Sequence, residues 1–319
     1  MVLDTGLRDF SHTRPVPALD TSLRENKLRQ LIDYYLLSCR SDGKAAGTMD
    51  GYRRRLGKFA LFLNYRLAPE QIDASSIRSY LASLYDKHQD SVSVNADYRV
   101  LHSFFNWAVV EKILAESPMA NIKPPRVPKK IIKPLTREDI HNILLLCSGN
   151  SFLDVRNRAM VLLFLDTAIR TEEMANIQIE DVNFKTELIR VMGKGSKERL
   201  VKMGDRVQKA LLRYLLMRAD DLPCLWVTEE RKPMKRAGIQ IMIQRKGRAA
   251  GVKGSRLGPH TYRHTAAINF LRNGGDPFTL QIMLGHSTLD MTKRYLSTLG
   301  TEDLIRVHRK ASPVDNMRL

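Results

Sequence analysis

Cysteine is scarce in this chain. Only Cys39, Cys147 and Cys224 occur, far apart and in no ligand-like pair, which argues against a zinc site and a disulfide framework and fits a reducing compartment. Long apolar runs are missing as well. The longest near the middle, AMVLLFL from Ala159, is too short to span a bilayer, and MVLDTGLRD at the N-terminus lacks an apolar signal core. The expectation is a soluble, cytoplasmic protein with no membrane partner. No GxxxxGK[ST] stretch is present, so no ATP site of that kind is expected, and no segment repeats at a fixed period. Acidic residues are in deficit: 34 Asp and Glu against 52 Lys and Arg leave a net charge of +18 over 319 residues. So basic a balance points first to a polyanionic partner. Hydrophobic residues make up 43%, enough for real cores, and this excludes a disordered basic tail protein.

Taken in order, the chain divides by composition into five segments. Residues 1–19 carry prolines and no periodic pattern, and read as a mobile arm. Residues 20–122 show apolar positions at helical spacing, Leu28, Leu31, Ile32, Tyr35 and Leu36 in the first helix and Tyr52, Leu56, Phe59 and Leu63 in the second. Asp73 is placed to cap a third helix and Ser91 or Ser93 to begin a fourth. Cations interleave with these positions, and Arg53, Arg54, Arg55 and Arg99 are candidates to grip phosphates. In residues 123–134, KPPRVPKKIIKP, four prolines forbid a helix and five cations stand without an acid. That linker is a charged, extended strap, and Lys129, Lys130 and Lys133 are its candidate DNA contacts.

Residues 135–300 form the second domain, in which Thr136 and Asp139 read as a capping box and Asp154 precedes a long apolar helix ending at Arg170. ELIRVM and ERLVKM are short strands, joined by a GKGS hairpin turn that projects Lys194, with Lys197 beside it. Residues 301–319 hold one apolar-faced helix, Glu302 to Lys310, and a tail. Too short to be stable alone, that helix must dock on something.

The stretch Pro259 to Tyr295 organises the rest. Pro259 suits a first helical position, so PHTYRHTAAINFLRNGG reads as a helix that sets His260 and Arg263 on one face. Asp276 caps a second helix, which Gly285 ends just before His286. Ser287 to Asp290 starts a third, carrying Tyr295.

These boxes, HTYRHT and LGHSTLDMTKRY with the upstream TAIRTEE and GKGSKER, resemble the signature motifs of the tyrosine recombinases, the phage integrase and Xer-type site-specific recombinases. They run in the family's order over roughly residues 160 to 296. Alanine in TAIR stands where the family commonly has glycine, and Tyr262 where leucine is usual. Matched motif by motif, the resemblance implies a catalytic set of Arg170, Lys194, His260, Arg263, His286 and the nucleophile Tyr295, with Glu173 orienting the site. It implies a mainly α fold with a small antiparallel sheet, an all-α N-terminal core-binding domain and an α+β catalytic domain closing as a C-shaped clamp.

The implied reaction is transesterification at a DNA phosphodiester: the Tyr295 hydroxyl attacks phosphorus, the 5′-oxygen leaves, and a 3′-phosphotyrosine link remains. Arginine forks suit the charge that builds on the nonbridging oxygens, so Arg170 and Arg263 would clamp them while His260 and His286 donate further hydrogen bonds. Lys194 would protonate the leaving oxygen. Metal-assisted phosphoryl transfer would need clustered carboxylates, and the cation-bearing boxes supply no group of them beyond the adjacent Glu172 and Glu173; neither metal nor cofactor is expected. Expected partners are double-stranded DNA, further copies of the chain as a dimer per site and a tetramer in the synapse, and accessory DNA-bending proteins. Two rival readings are an inactive DNA-binding relative and a relaxing topoisomerase.

Overall fold

The computed structural model describes residues 27–87, 89–128, 133–193, 198–253, 257–296 and 299–311. The expected N-terminal arm, Lys129, Lys130, Lys194, Lys197 and the tail after 311 lie outside them. The chain divides into two compact units, Met1–Lys130 and Ile131–Leu319. No helix among the described residues is long and apolar enough to cross a membrane.

The first unit is all α: α1 (Lys27–Ser41), α2 (Ala46–Phe62), α3 (Ala74–Asp86) and α4 (Ser91–Val110). Carboxylates start the last two helices, because Asp73 accepts from the Ser76 N–H and Asp90 from the Ser93 N–H. Leu28, Leu56, Ile77 and Val94, one from each helix, are fully buried in a shared core. Aromatic rings fill its centre, with Phe59 edge-on to Tyr80 at 5.1 Å between centroids and Tyr35 edge-on to Phe104 at 5.4 Å. One carboxylate is buried there. Asp97 of α4 is 2% exposed and is held by the guanidinium of Arg55 and the hydroxyl of Tyr80, which donates at 3.3 Å.

The second unit is mostly α, with α5 (Arg137–Leu145), α6 (Phe152–Thr167), α7 (Thr171–Asn176), then β1 (Val182–Asn183), β2 (Leu188–Met192) and β3 (Glu198–Lys202), and finally α8 (Asp205–Leu216), α9 (Arg236–Ala249), α10 (Pro259–Arg272), α11 (Pro277–Leu284), α12 (Asp290–Leu296) and α13 (Thr301–Ala311). The Thr136–Asp139 capping box forms in both directions, at 3.0 and 2.8 Å. The long apolar helix α6 starts earlier than Asp154, since Ser151 is its cap and accepts from the Asp154 N–H. From Ala159 to Leu165 it is apolar all round, as a helix packed against both α8 and α10 should be. The strands form an antiparallel sheet in the order β1, β2, β3, one strand more than the two sequence runs indicate. Ile189 opposite Val201 pins the register, and both are buried. Strand alternation then puts Arg199 on the inner face with Val201.

Candidate active site

Four elements converge on one turn. Helix α6 ends at Thr167 and the chain reverses through Ala168, whose φ of +52° is left-handed. A β-carbon there is strained by about 1 kcal/mol, which explains why a glycine would suit this position in TAIR. The reversal buries Ile169 and sets Arg170 at the start of α7. Helix α11, capped by Asp276 on the Phe278 and Thr279 N–H groups, ends at Gly285 with φ +60°, and His286 follows.

Arginines hold this turn. Arg263, on α10 and 4% exposed, donates from Nη1 to the Ala168 carbonyl at 2.6 Å and from Nη2 to the Leu284 carbonyl at 2.7 Å. Its Nη2 also lies 3.3 Å from His286 Nε2. Arg170 donates from Nη2 to the next carbonyl, Gly285, at 3.2 Å. Two guanidinium groups are thus anchored on consecutive peptide groups, and each keeps further N–H donors of its fork. Burial, and then the neighbouring Arg170, bring the Arg263 guanidinium down to about 10, still cationic at neutral pH. His286 is buried, with Nδ1 2.9 Å from the hydroxyl of Thr292. Since an arginine can only donate, the contact from Arg263 assigns the lone pair to Nε2 and the proton to Nδ1, which donates to Thr292.

Glu173 sits behind Arg170. Its carboxylate, 2% exposed, accepts from the Arg170 backbone N–H and from Arg170 Nη1, both at 2.7 Å. Arg199 Nη1 and Nη2 reach the two carboxylate oxygens at 2.7 Å each. Burial alone would raise this carboxyl, but the bonds from Arg199 and Arg170 hold it at about 2. A depressed carboxyl stabilises the fold above its ordinary value of 4.5, and that contribution is lost as pH falls through about 2.

Tyr295, on α12, is 1% exposed. It packs with Ala168, Ala267 and Leu284, its ring 5.2 Å from that of His264 and 6.3 Å from His286, nearly parallel to the latter. Sequence reading puts this tyrosine on the helix that follows His286 but does not reveal its full burial. His260 is exposed on the first turn of α10. Arg53, Arg54, Arg99 and Lys133 are exposed; Arg53 pairs with Asp50 at 3.4 Å. Arg55 departs from the basic face expected of it, its guanidinium turned inward to the buried Asp97.

Residues 133–300 match the model of the Phage integrase family, and residues 32–112 that of its N-terminal SAM-like domain. The tyrosine recombinase XerD of Staphylococcus aureus (strain Mu50 / ATCC 700699) is 31% identical over 277 residues, spanning 84% of this chain and 94% of that relative. The chain belongs to the phage integrase family and is a tyrosine recombinase. It is an enzyme that cuts and rejoins DNA at specific sites, and neither rival reading is favoured by these kinships. Among solved structures the recombinase is similar in fold to the Tn1549 transposon integrase in complex with a circular intermediate DNA, with a TM-score of 0.73 at 17% identity over 89% of this chain and 99% of that one. A lambda integrase dimer bound to a COC′ core site gives a TM-score of 0.69 at 18% identity over 83% and 96%.

Three residues of the candidate site lie within the quoted boxes, Arg199 in GKGSKER, His264 in HTYRHT and Thr292 in LGHSTLDMTKRY, yet carry no role in the sequence reading. Arg199 was open to detection, because the alternation of ERLVKM sets it on the same face as Val201. Thr292 and His264 gave no comparable signal, since each becomes part of the site only once α10 and α12 pack.

Proposed function

We propose that Tyr295 is the nucleophile of this recombinase, that Arg170 and Arg263 clamp the nonbridging oxygens of the scissile phosphate with His260 and His286 as further donors, and that Lys194 protonates the leaving 5′-oxygen. The observation that carries this reading is the anchoring of Arg170 and Arg263 on the adjacent Gly285 and Leu284 carbonyls, in the turn that bears His286 and abuts Tyr295. Preorganised donors of this kind lower a barrier because they need not reorganise as charge develops. Glu173 orients Arg170 and does not react.

The clamp and the leaving-group acid are separable chemically. With the 5′-bridging oxygen replaced by sulfur, the departing thiolate needs no proton. Lys194→Ala is therefore expected to cleave that substrate at close to the wild-type rate, and Arg170→Ala to remain slow. Equal rescue of both variants removes Lys194 from the role.

DNA is bound by the cations of the first unit and the strap, with one protomer on each half-site, two on a site and four in a synapse. The lambda integrase dimer on its core site supports two protomers per site, and closed head-to-tail contacts would generate a ring of four; in this chain α13 lies on α10 of the same unit, with Arg272 pairing with Asp303 at 3.4 Å.

A gel-shift titration checks the binding reading. Affinity falls by orders of magnitude between about 50 and 200 mM salt, with one- and two-protomer bands appearing in turn. Arg53→Gln, Arg54→Gln and Arg99→Gln each flatten the salt slope by up to about 0.9. Arg55→Met leaves the slope unchanged but destabilises the first unit by about 3 kcal/mol, because it strands the buried Asp97 charge. A flat salt dependence, or a slope that responds to Arg55 alone, contradicts this assignment.

A further inference from the structure

We infer that Arg199 is a positioning residue of the recombination reaction, keeping Glu173 from neutralising Arg170 while fixing both to the turn that carries His286. The inference rests on the reading of Arg170 as a phosphate clamp and deepens it.

The geometry is specific to an arginine. From the inner face of β3, Arg199 lays both Nη atoms on the two oxygens of Glu173 at 2.7 Å, and its third nitrogen, Nε, donates to the Met283 carbonyl at 3.2 Å. Its side chain is 12% exposed. Gly285 is shaped to this neighbour. A β-carbon built there would stand 3.1 Å from Arg199 Cδ and Nη1, and the φ of +60° further favours glycine. Three links therefore leave one guanidinium, to the carboxylate behind Arg170, to the last turn of α11, and by close packing to the residue before His286.

Charge makes the arrangement more than a brace. Arg170 and Glu173 alone would form a neutral pair, and a full counter-charge 2.7 Å from Arg170 would oppose its pull on a phosphate. With Arg199 sharing the carboxylate, the trio carries a net single positive charge. Arg170 stays oriented by Glu173, and its field remains available to the substrate. β3 also begins directly after residues 194–197, so the strand that brings Arg199 to Glu173 follows the segment bearing Lys194. An Arg199→Lys variant restores the charge but not the fork, since an ammonium is a point donor.

The test is single-turnover cleavage of a nicked suicide site by the full chain at saturating protein, with half-site affinity and melting temperature measured alongside. Arg199→Met is expected to cleave about tenfold or more slowly with half-site affinity nearly unchanged, and Arg199→Lys to recover part of that rate. The acid limb of the rate profile should move to higher pH in Arg199→Met, because Glu173 loses the partner that keeps it ionised. If Arg199 acts through Arg170, Arg199→Met combined with Arg170→Lys is little slower than Arg170→Lys alone, whereas independent effects multiply. Wild-type cleavage by Arg199→Met, multiplying losses, or a rate that falls only in step with affinity and melting temperature in both Arg199 variants overturns the inference. Normal cleavage by Arg170→Lys on its own identifies the underlying reading as the failure, and the role of Arg199 falls with it.

Discussion

Tyr295→Phe is expected to abolish the covalent protein–DNA adduct on a nicked suicide site while leaving half-site affinity within about twofold of wild type. The substitution removes one oxygen. The ring still packs among Ala168, Ala267 and Leu284 and still faces His264 and His286, so neither the fold nor the DNA-binding surface is disturbed. On the proposed mechanism, what disappears is the atom that would form the phosphodiester to the enzyme. An adduct of normal yield would refute the assignment and make Tyr262 the next candidate, a tyrosine whose buried hydroxyl has no hydrogen-bond partner. Burial holds that phenol well above its usual range, which makes it a poor nucleophile where it stands.

The second large effect is expected at Arg263. Replacing it by alanine removes a buried cation that bonds the Ala168 and Leu284 carbonyls and touches His286. Loss of a preorganised charged donor at the developing charge is expected to slow cleavage about a hundredfold or more, roughly 3 kcal/mol. Part of that loss would be structural, since two buried carbonyls are left unmade at about 1–3 kcal/mol each. Arg263→Lys separates the contributions. It keeps the charge yet cannot span both carbonyls, so a melting temperature near wild type with cleavage still depressed at least tenfold assigns the effect to the fork. Full activity in Arg263→Lys, measured on the same suicide site, would show that a point charge suffices and that the anchored geometry is incidental.

Much of this was legible in the sequence because it is local. The caps at Asp73, Thr136 and Asp276 and the stop at Gly285 are encoded within a few residues of where they act. Helical spacing from Leu28 to Leu36 identifies a buried face without knowledge of its partner. The contacts that were not legible are those made between elements distant in the chain. Arg55 belongs to a run of cations and looks like its neighbours; only the packing of α2 on α4 shows it bound to Asp97, 42 positions away. The link from Arg199 to Glu173 likewise depends on the sheet register that sets Arg199 on the inner face of β3, within side-chain reach of α7. The burial of Tyr295 depends on α12 packing against α10, which no spacing within either helix records. The strained Ala168 is visible in the sequence only as a departure from the family's glycine, and the structure supplies its physical meaning as a left-handed turn.

The burial of Tyr295 has a consequence for timing. If Tyr295 attacks as proposed, its ring must first leave the packing beside His264 and His286, so the free protein should form no adduct with short single-stranded ends. To donate to the phosphate, His286 would also have to give up the contact of its Nε2 with Arg263 and take a proton there.

The most direct measurement is mass spectrometry of the protease-digested adduct trapped on a nicked suicide site. The account predicts a single modified peptide containing Tyr295, joined through its phenolic oxygen to the 3′-phosphate of the cleaved strand. A link to any other residue, or to a 5′-phosphate, would contradict it.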